Sequence, residues 1–241
     1  NHVLTITVNA IGGNLDGGPH TATASILSGP GSFVGSPTCT YTGGAATASC
    51  TVTITSNATG TTVVQATSNI PVNGQTITRT TNTAVNTGAG GSDNANKVWV
   101  NANIQITPAT ATNAVGTNHV LTITVNALNG TIDAGPHTAT ASIVGGPGSF
   151  VGPNTCTYVG GGATAFCQVT ITSAAVGTTV VSATSDIPVN GVTITRTTNT
   201  AVNTAAGGSD NASKNWVDAN IRISPPTASR SRTPSTAPGR P

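Results

Sequence analysis

Charge is nearly missing from this sequence. Of its 241 residues, eight are Lys or Arg and six are Asp, and Glu does not occur. Charged residues therefore make up 6% of the chain, against roughly 25% in an ordinary soluble domain. Met is absent and aromatic residues stand at 3%. Long helices draw on Glu, Lys, Leu, Arg and Met, so this alphabet excludes a helical fold. The net charge of +2 comes with no basic stripe and no interleaved aromatics, which excludes a nucleic-acid surface as an expected partner. No apolar run approaches the roughly 20 residues that span a membrane, and if the protein is secreted its signal peptide is expected to have been removed from this chain already.

What is present is Thr, Ala, Asn, Gly, Val and Ser. β-Branched Thr and Val suit a pleated surface, and the expected class is all-β. The stretch Asn-His-Val-Leu-Thr-Ile-Thr-Val-Asn-Ala occurs at 1–10 and again at 118–127. Leu4, Ile6 and Val8 alternate with Thr5, Thr7 and Asn9, the period of a strand with one buried face. The two copies align without a gap: Cys156 follows Cys39, Trp216 follows Trp99 and Pro225 follows Pro108, each by 117 positions. A repeat of that size is a tandem domain. The expected division is residues 1–99, 100–217 and a final segment, 218–241.

Cys39 and Cys50, and Cys156 and Cys167, have the same spacing in the two copies. With no Cys-x-x-Cys pattern and no adjacent His, they are expected to form one disulfide per repeat, stapling a hairpin, and not a zinc site. Disulfides place the chain outside the cell, secreted or at a surface. Asn73-Gly74 and Asn190-Gly191 suit the two positive-φ positions of a type I′ hairpin turn. Short strands spaced by turns, with one stapled pair per repeat, give an antiparallel sandwich.

The segments Asn-His-Val-Leu-Thr-Ile-Thr-Val, Pro-His-Thr-Ala-Thr-Ala-Ser-Ile, Cys-Gln-Val-Thr-Ile-Thr and Gly-Thr-Thr-Val-Val-Ser-Ala-Thr resemble bacterial immunoglobulin-like repeats of the invasin/intimin type. The resemblance covers both copies. It implies immunoglobulin-like sandwiches strung in series in surface stalks and adhesins, and it carries over no catalytic residue.

Candidate chemistry is thin. His2, His20, His119 and His137 form repeat-related pairs with few carboxylates near them in sequence, so they are expected at turns and strand ends, with no metal and no cofactor. Asp16, Asp93, Asp133 and Asp210 lie in Gly/Asn-rich stretches and do not make a calcium loop. No Gly-x-Ser-x-Gly turn or paired-carboxylate cleft is visible, and the chain is expected not to be an enzyme. Trp99 and Trp216 are expected to seal a core or a junction. Lys97 and Lys214 recur, and a Lys–Asn cross-link would need a buried acid beside them. Asn57, Asn129 and Asn211 match the glycosylation acceptor pattern, none with a counterpart in the other copy.

One asymmetry carries the functional expectation. The second repeat is preceded by Asn103-Ile104-Gln105-Ile106-Thr107-Pro108 and an approach up to Thr117, whereas the sequence begins at the first repeat's own opening strand. The matching segment, Asn220-Ile221-Arg222-Ile223-Ser224-Pro225, stands after the second repeat. The expectation is that the first repeat lacks a strand and accepts this donor beside Val3, Leu4, Ile6 and Val8. Identical subunits would then join head to tail into a filament. The alternative is a spacer or binding module of an adhesin, cut from a longer array. A further expectation is a stiff junction, with Val98, Val100, Ala102, Ile104 and Ile106 in one alternation phase.

Overall fold

The computed structural model describes residues 1–224; the Pro/Ser/Arg-rich tail from Pro225 onward lies outside the described residues. The first repeat contains β1 (His2–Asn9), β2 (Pro19–Ser28), β3 (Ser32–Phe33), β4 (Thr38–Thr42), β5 (Thr47–Thr55), β6 (Gly60–Val72), β7 (Gln75–Thr80), the one-turn helix α1 (Ala84–Thr87) and β8 (Ala95–Trp99). The second opens with two extra strands, β9 (Asn101–Thr107) and β10 (Thr110–Ala114). It then repeats the series as β11 (His119–Leu128), β12 (Pro136–Gly145), β13 (Ser149–Phe150), β14 (Thr155–Val159), β15 (Thr164–Thr172), β16 (Gly177–Val189), β17 (Val192–Thr197), α2 (Ala201–Ala205) and β18 (Ala212–Val217).

Each repeat is a β-sandwich. In the first, one sheet has the order β1-β5-β3, and the other has β4-β2-β6-β7 with β8 also on β6. In the second, the sheets are β9-β11-β15-β13 and β10-β18-β16-β12-β14, with β17 also on β16. The second repeat thus has one more strand in each layer. β9 runs antiparallel to β11, from Thr122 opposite Thr107 to Leu128 opposite Asn101. β10 runs parallel to β18, Thr110 opposite Ser213. The approach segment 109–117 therefore contains a strand of its own.

Alternation places the core. Leu121, Ile123 and Val125 of β11 point inward, and Ala102, Ile104 and Ile106 of β9 complete the same layer. With them the second repeat has a single continuous core. In the first repeat the core falls into two clusters, one around Tyr41, Ile70 and Val72 and one around Val52, Ile54 and Val64. Trp216 is 1% exposed, while Trp99 at the matching place is only half-buried.

Cys39 and Cys50 are bonded, with Cα atoms 5.7 Å apart, as are Cys156 and Cys167 at the same Cα separation. The expected hairpin staple needs correcting. β4 and β5 lie in different sheets, so each bridge ties one layer to the other across the core edge. Asn73 and Gly74 both have positive φ, at 51° and 79°, and close β6 onto β7.

The junction also departs from the expected single phase. In β8 it is Lys97 and Trp99 that turn inward, and Val98 is exposed. Val100 lies between β8 and β9 and packs on the second repeat's core. The phase therefore resets at Val100, because β8 and β9 serve different sandwiches.

Candidate functional site: the open edge of the first repeat

In the second repeat, β9 is held by four side chains that reach it from other elements. Asn203, in α2, is fully buried. Its Oδ1 accepts the Ile104 N–H at 2.9 Å, and its Nδ2 donates to the Ile104 carbonyl at 2.9 Å. Ser209 Oγ accepts the Ile106 N–H at 2.9 Å. Arg196, on β17, donates through Nε to the Ala102 carbonyl at 2.8 Å and through Nη2 to Asn101 Oδ1. Burial lowers its guanidinium below the ordinary value. Asn126 Nδ2 donates to Asn103 Oδ1 at 2.8 Å. Two outer contacts complete the seat: Asn103 Nδ2 to the Ala206 carbonyl at 2.8 Å, and Gln105 Nε2 to the Gly207 carbonyl at 3.0 Å.

The first repeat keeps every one of these grips, as Asn86, Ser92, Arg79 and Asn9. Among the described residues, β1 pairs only with β5. A groove of about 270 Å³ runs along its other edge. Its floor is apolar, with Ile6, Val8, Ile70 and Ile77, and all four polar residues line it. A smaller cavity shares Ile6 and Ser92 with this groove and extends it toward Leu4 and Ala95.

The grips are set locally, without a strand between them. Asn86 Nδ2 donates to the Ser92 carbonyl at 3.3 Å, as Asn203 Nδ2 does to Ser209 at 3.3 Å. A Cβ at Gly91 would lie 2.2 Å from Asn86 Nδ2, so glycine is required for the loop to close on this side chain. Asn9 Oδ1 accepts from Thr47 Oγ1 at 2.8 Å, as Asn126 Oδ1 does from Thr164 at 2.8 Å, which turns each Nδ2 outward. A side chain already fixed by its neighbours loses little entropy on binding.

Asn220, Ile221, Arg222, Ile223 and Ser224 follow β18 and are exposed; Ile221 is 97% and Ile223 88% accessible. They are the counterparts of Asn103 to Thr107. Transferring the β9–β11 register sets Ile221 opposite Val8 and Ile223 opposite Ile6. The paired stretch then runs from Thr5 to Ile11. Of the expected acceptor residues, Ile6 and Val8 lie within that stretch, Leu4 lines the adjoining cavity, and Val3 is 58% exposed.

Most of the remaining candidates have structural partners. His20 and His137 bond the Asp16 and Asp133 carbonyls at 2.8 and 2.7 Å and pack on Tyr41 and Tyr158. Asp16 caps the Gly74 amide, and Trp216 Nε1 donates to Thr179 at 2.9 Å. Lys214 is buried, donates to Asn113 on β10 and lies over the Trp216 ring. Burial lowers its pKa. His119 Nε2 is buried with no hydrogen-bond partner among the described residues. Burial, and then the Lys214 charge, lower its pKa. Of the three glycosylation patterns, Asn57 is exposed. Asn129 commits its Nδ2 to the Trp99 carbonyl at 3.0 Å, and Asn211 accepts from Thr198 at 2.6 Å.

No protein-family profile matches the chain, and no curated protein does. The resemblance to invasin/intimin repeats therefore stands on its sequence segments alone. Among solved structures, the chain is similar to the C-terminal domain of the AgI/II polypeptide BspA of Streptococcus agalactiae. Identity is 7% and the TM-score 0.39, covering 88% of this chain and 83% of that one. A second structure of that domain gives 7% identity and a TM-score of 0.39, over 88% and 84%. A likeness at that level bears on neither fold detail nor function. No helix among the described residues is long and apolar enough to cross a membrane.

Proposed function

We propose that this chain is an extracellular structural module, built from sandwiches that are completed by a donated strand and joined head to tail with identical subunits. One observation carries the reading. The first repeat presents the seat that β9 fills in the second, with all four polar grips in place, and an exposed copy of the β9 sequence follows β18. An unpaired sheet edge above an apolar floor favours strand addition. The contact joins two different surfaces, so it does not close on itself and propagates as a fibre. Disulfides and a Thr/Asn surface with few charges fit an oxidising exterior. The reading requires no cofactor, nucleic-acid partner or catalytic step.

A second reading is favoured by the internal junction. There the second repeat is completed by the segment directly ahead of it in the same chain, with only Val100 between β8 and β9. Repeats joined in that way make a continuous spacer, as in the stalk of an adhesin, and the donated strand then comes from within one polypeptide.

Negative-stain microscopy of the purified chain separates the two. Head-to-tail donation gives filaments that lengthen with concentration, and Ile221→Asp with Ile223→Asp abolishes them. Short rods of constant length at all concentrations, or filaments unaffected by the double variant, would overturn the first reading.

A further inference from the structure

The tail carries Asp218, Arg222 and Ser224 where β9 has Asn101, Gln105 and Thr107, and the first of these meets an arginine grip. Asn101, whose Oδ1 receives Arg196 Nη2, has Asp218 as its counterpart. The local geometry is otherwise the same. Asn101 Oδ1 accepts the Ala102 N–H at 2.8 Å, and Asp218 Oδ1 accepts the Ala219 N–H at 2.8 Å. The carboxylate is thus held where the amide is held in the internal junction. On the acceptor side, Arg79 Nη1 donates to the Thr78 carbonyl at 3.0 Å, as Arg196 Nη1 does to Thr195 at 2.8 Å. That bond sets the guanidinium before a strand arrives. Nε and Nη2 then serve the incoming strand.

The geometry points to an ion pair between Arg79 of one subunit and Asp218 of the next, which selects the tail of a second copy over the neutral β9 sequence. This deepens the strand-donation reading and rests on it. In the β9 register, Arg79 Nε donates to the Ala219 carbonyl and Nη2 to the Asp218 carboxylate. A charge-assisted bond replaces the neutral Arg–Asn bond of the internal junction. The groove is otherwise sparing in charge, because its remaining grips are Asn and Ser side chains and its floor is aliphatic. A single carboxylate therefore stands out as a selectivity element. Rim charges of this kind act on partner choice and association rate more than on raw affinity, and they respond to salt.

The test uses the full chain carrying Ile221→Asp and Ile223→Asp, so that its own tail cannot compete. Two fluorescent peptides are compared by anisotropy, one with the sequence of residues 217–225 and one with Asp218→Asn in it. Both carry Arg222, whose effect cancels in the comparison. The Asp peptide is expected to bind about two- to fivefold tighter at low salt, with the ratio falling toward one at high salt. In a chain that also carries Arg79→Gln the ratio is expected to be one at every salt concentration. Equal binding of the two peptides to the Arg79 chain at low salt overturns the ion pair and leaves strand donation standing. Failure of both peptides to bind overturns strand donation itself, and the ion pair with it.

Discussion

Asn203 and Ile104 are 99 residues apart, and one side chain satisfies both backbone groups of the other, each at 2.9 Å. An amide side chain bonded in this way mimics one rung of a β-ladder. It gives β9 a neighbour on the side where no strand lies. The same amide in the first repeat, Asn86, has no such rung to complete among the described residues.

That difference predicts unequal costs for the same substitution. Asn203→Ala leaves a buried N–H without a partner and strips one donor from the Ile104 carbonyl. A loss of about 2–4 kcal/mol is expected for the second repeat. Asn86→Ala removes only a loop contact from the isolated chain, with an expected loss of about 1 kcal/mol or less. Thermal or urea unfolding of the two variants, followed with the Trp99 and Trp216 signals, checks the asymmetry.

Much of this was legible in the residues. The 117-residue offset, the alternation of Leu4, Ile6 and Val8, and the second copy of Asn-Ile-x-Ile all follow from local period and self-similarity. The polar grips were not legible as such. Asn86 and Ser92 lie in a Gly/Asn-rich stretch that reads as an ordinary loop, and Arg79 stands among Thr residues with no motif around it. Their counterparts bond a strand some hundred positions away, and period carries no information on such pairings. The repetition of Asn, Ser and Arg at matched places was the available signal. The alternation of β1 likewise marks its inward face but not where a neighbour's ladder would end. The disulfides were paired correctly, but their role as a tie between layers depends on which sheet β4 joins.

The split core of the first repeat makes its disulfide the more consequential of the two. Each bridge closes a loop of separation 11, for which roughly 2–3 kcal/mol is expected. Cys39→Ser with Cys50→Ser is expected to unfold the first repeat at 37 °C. Cys156→Ser with Cys167→Ser is expected to lower the melting temperature of the second and leave it folded. Calorimetry with and without reductant measures both.

His119 is expected to make the second repeat sensitive to acid. Burial and the Lys214 charge hold its folded pKa below the ordinary 6.5, so the unfolded chain binds the proton more readily. Stability is then present above 6.5 and lost as the pH falls from 6.5 through the depressed value. The melting temperature of the second repeat is expected to drop over that window, and His119→Gln is expected to flatten the slope. A slope unchanged by the substitution would remove His119 from the account.

The junction is expected to be stiff. Only Val100 separates β8 from β9; it packs on the second core, and Asn129 Nδ2 holds the Trp99 carbonyl at 3.0 Å. Small-angle scattering is expected to fit a narrow range of interdomain angles, which Asn129→Ala with Val100→Gly widens. A broad range in the unaltered chain would contradict this.

Register at the joint between subunits tests strand donation most directly. In the second repeat Thr124 stands opposite Gln105, which places Thr7 of one subunit opposite Arg222 of the next. Thr7→Cys with Arg222→Cys, mildly oxidised and run without reductant, is predicted to give a ladder of covalent dimers, trimers and longer species. Thr5→Cys with Arg222→Cys, two residues out of register, is predicted to give monomers. A single monomer band from the first pair, or equal ladders from both, would contradict donation of this strand into this groove.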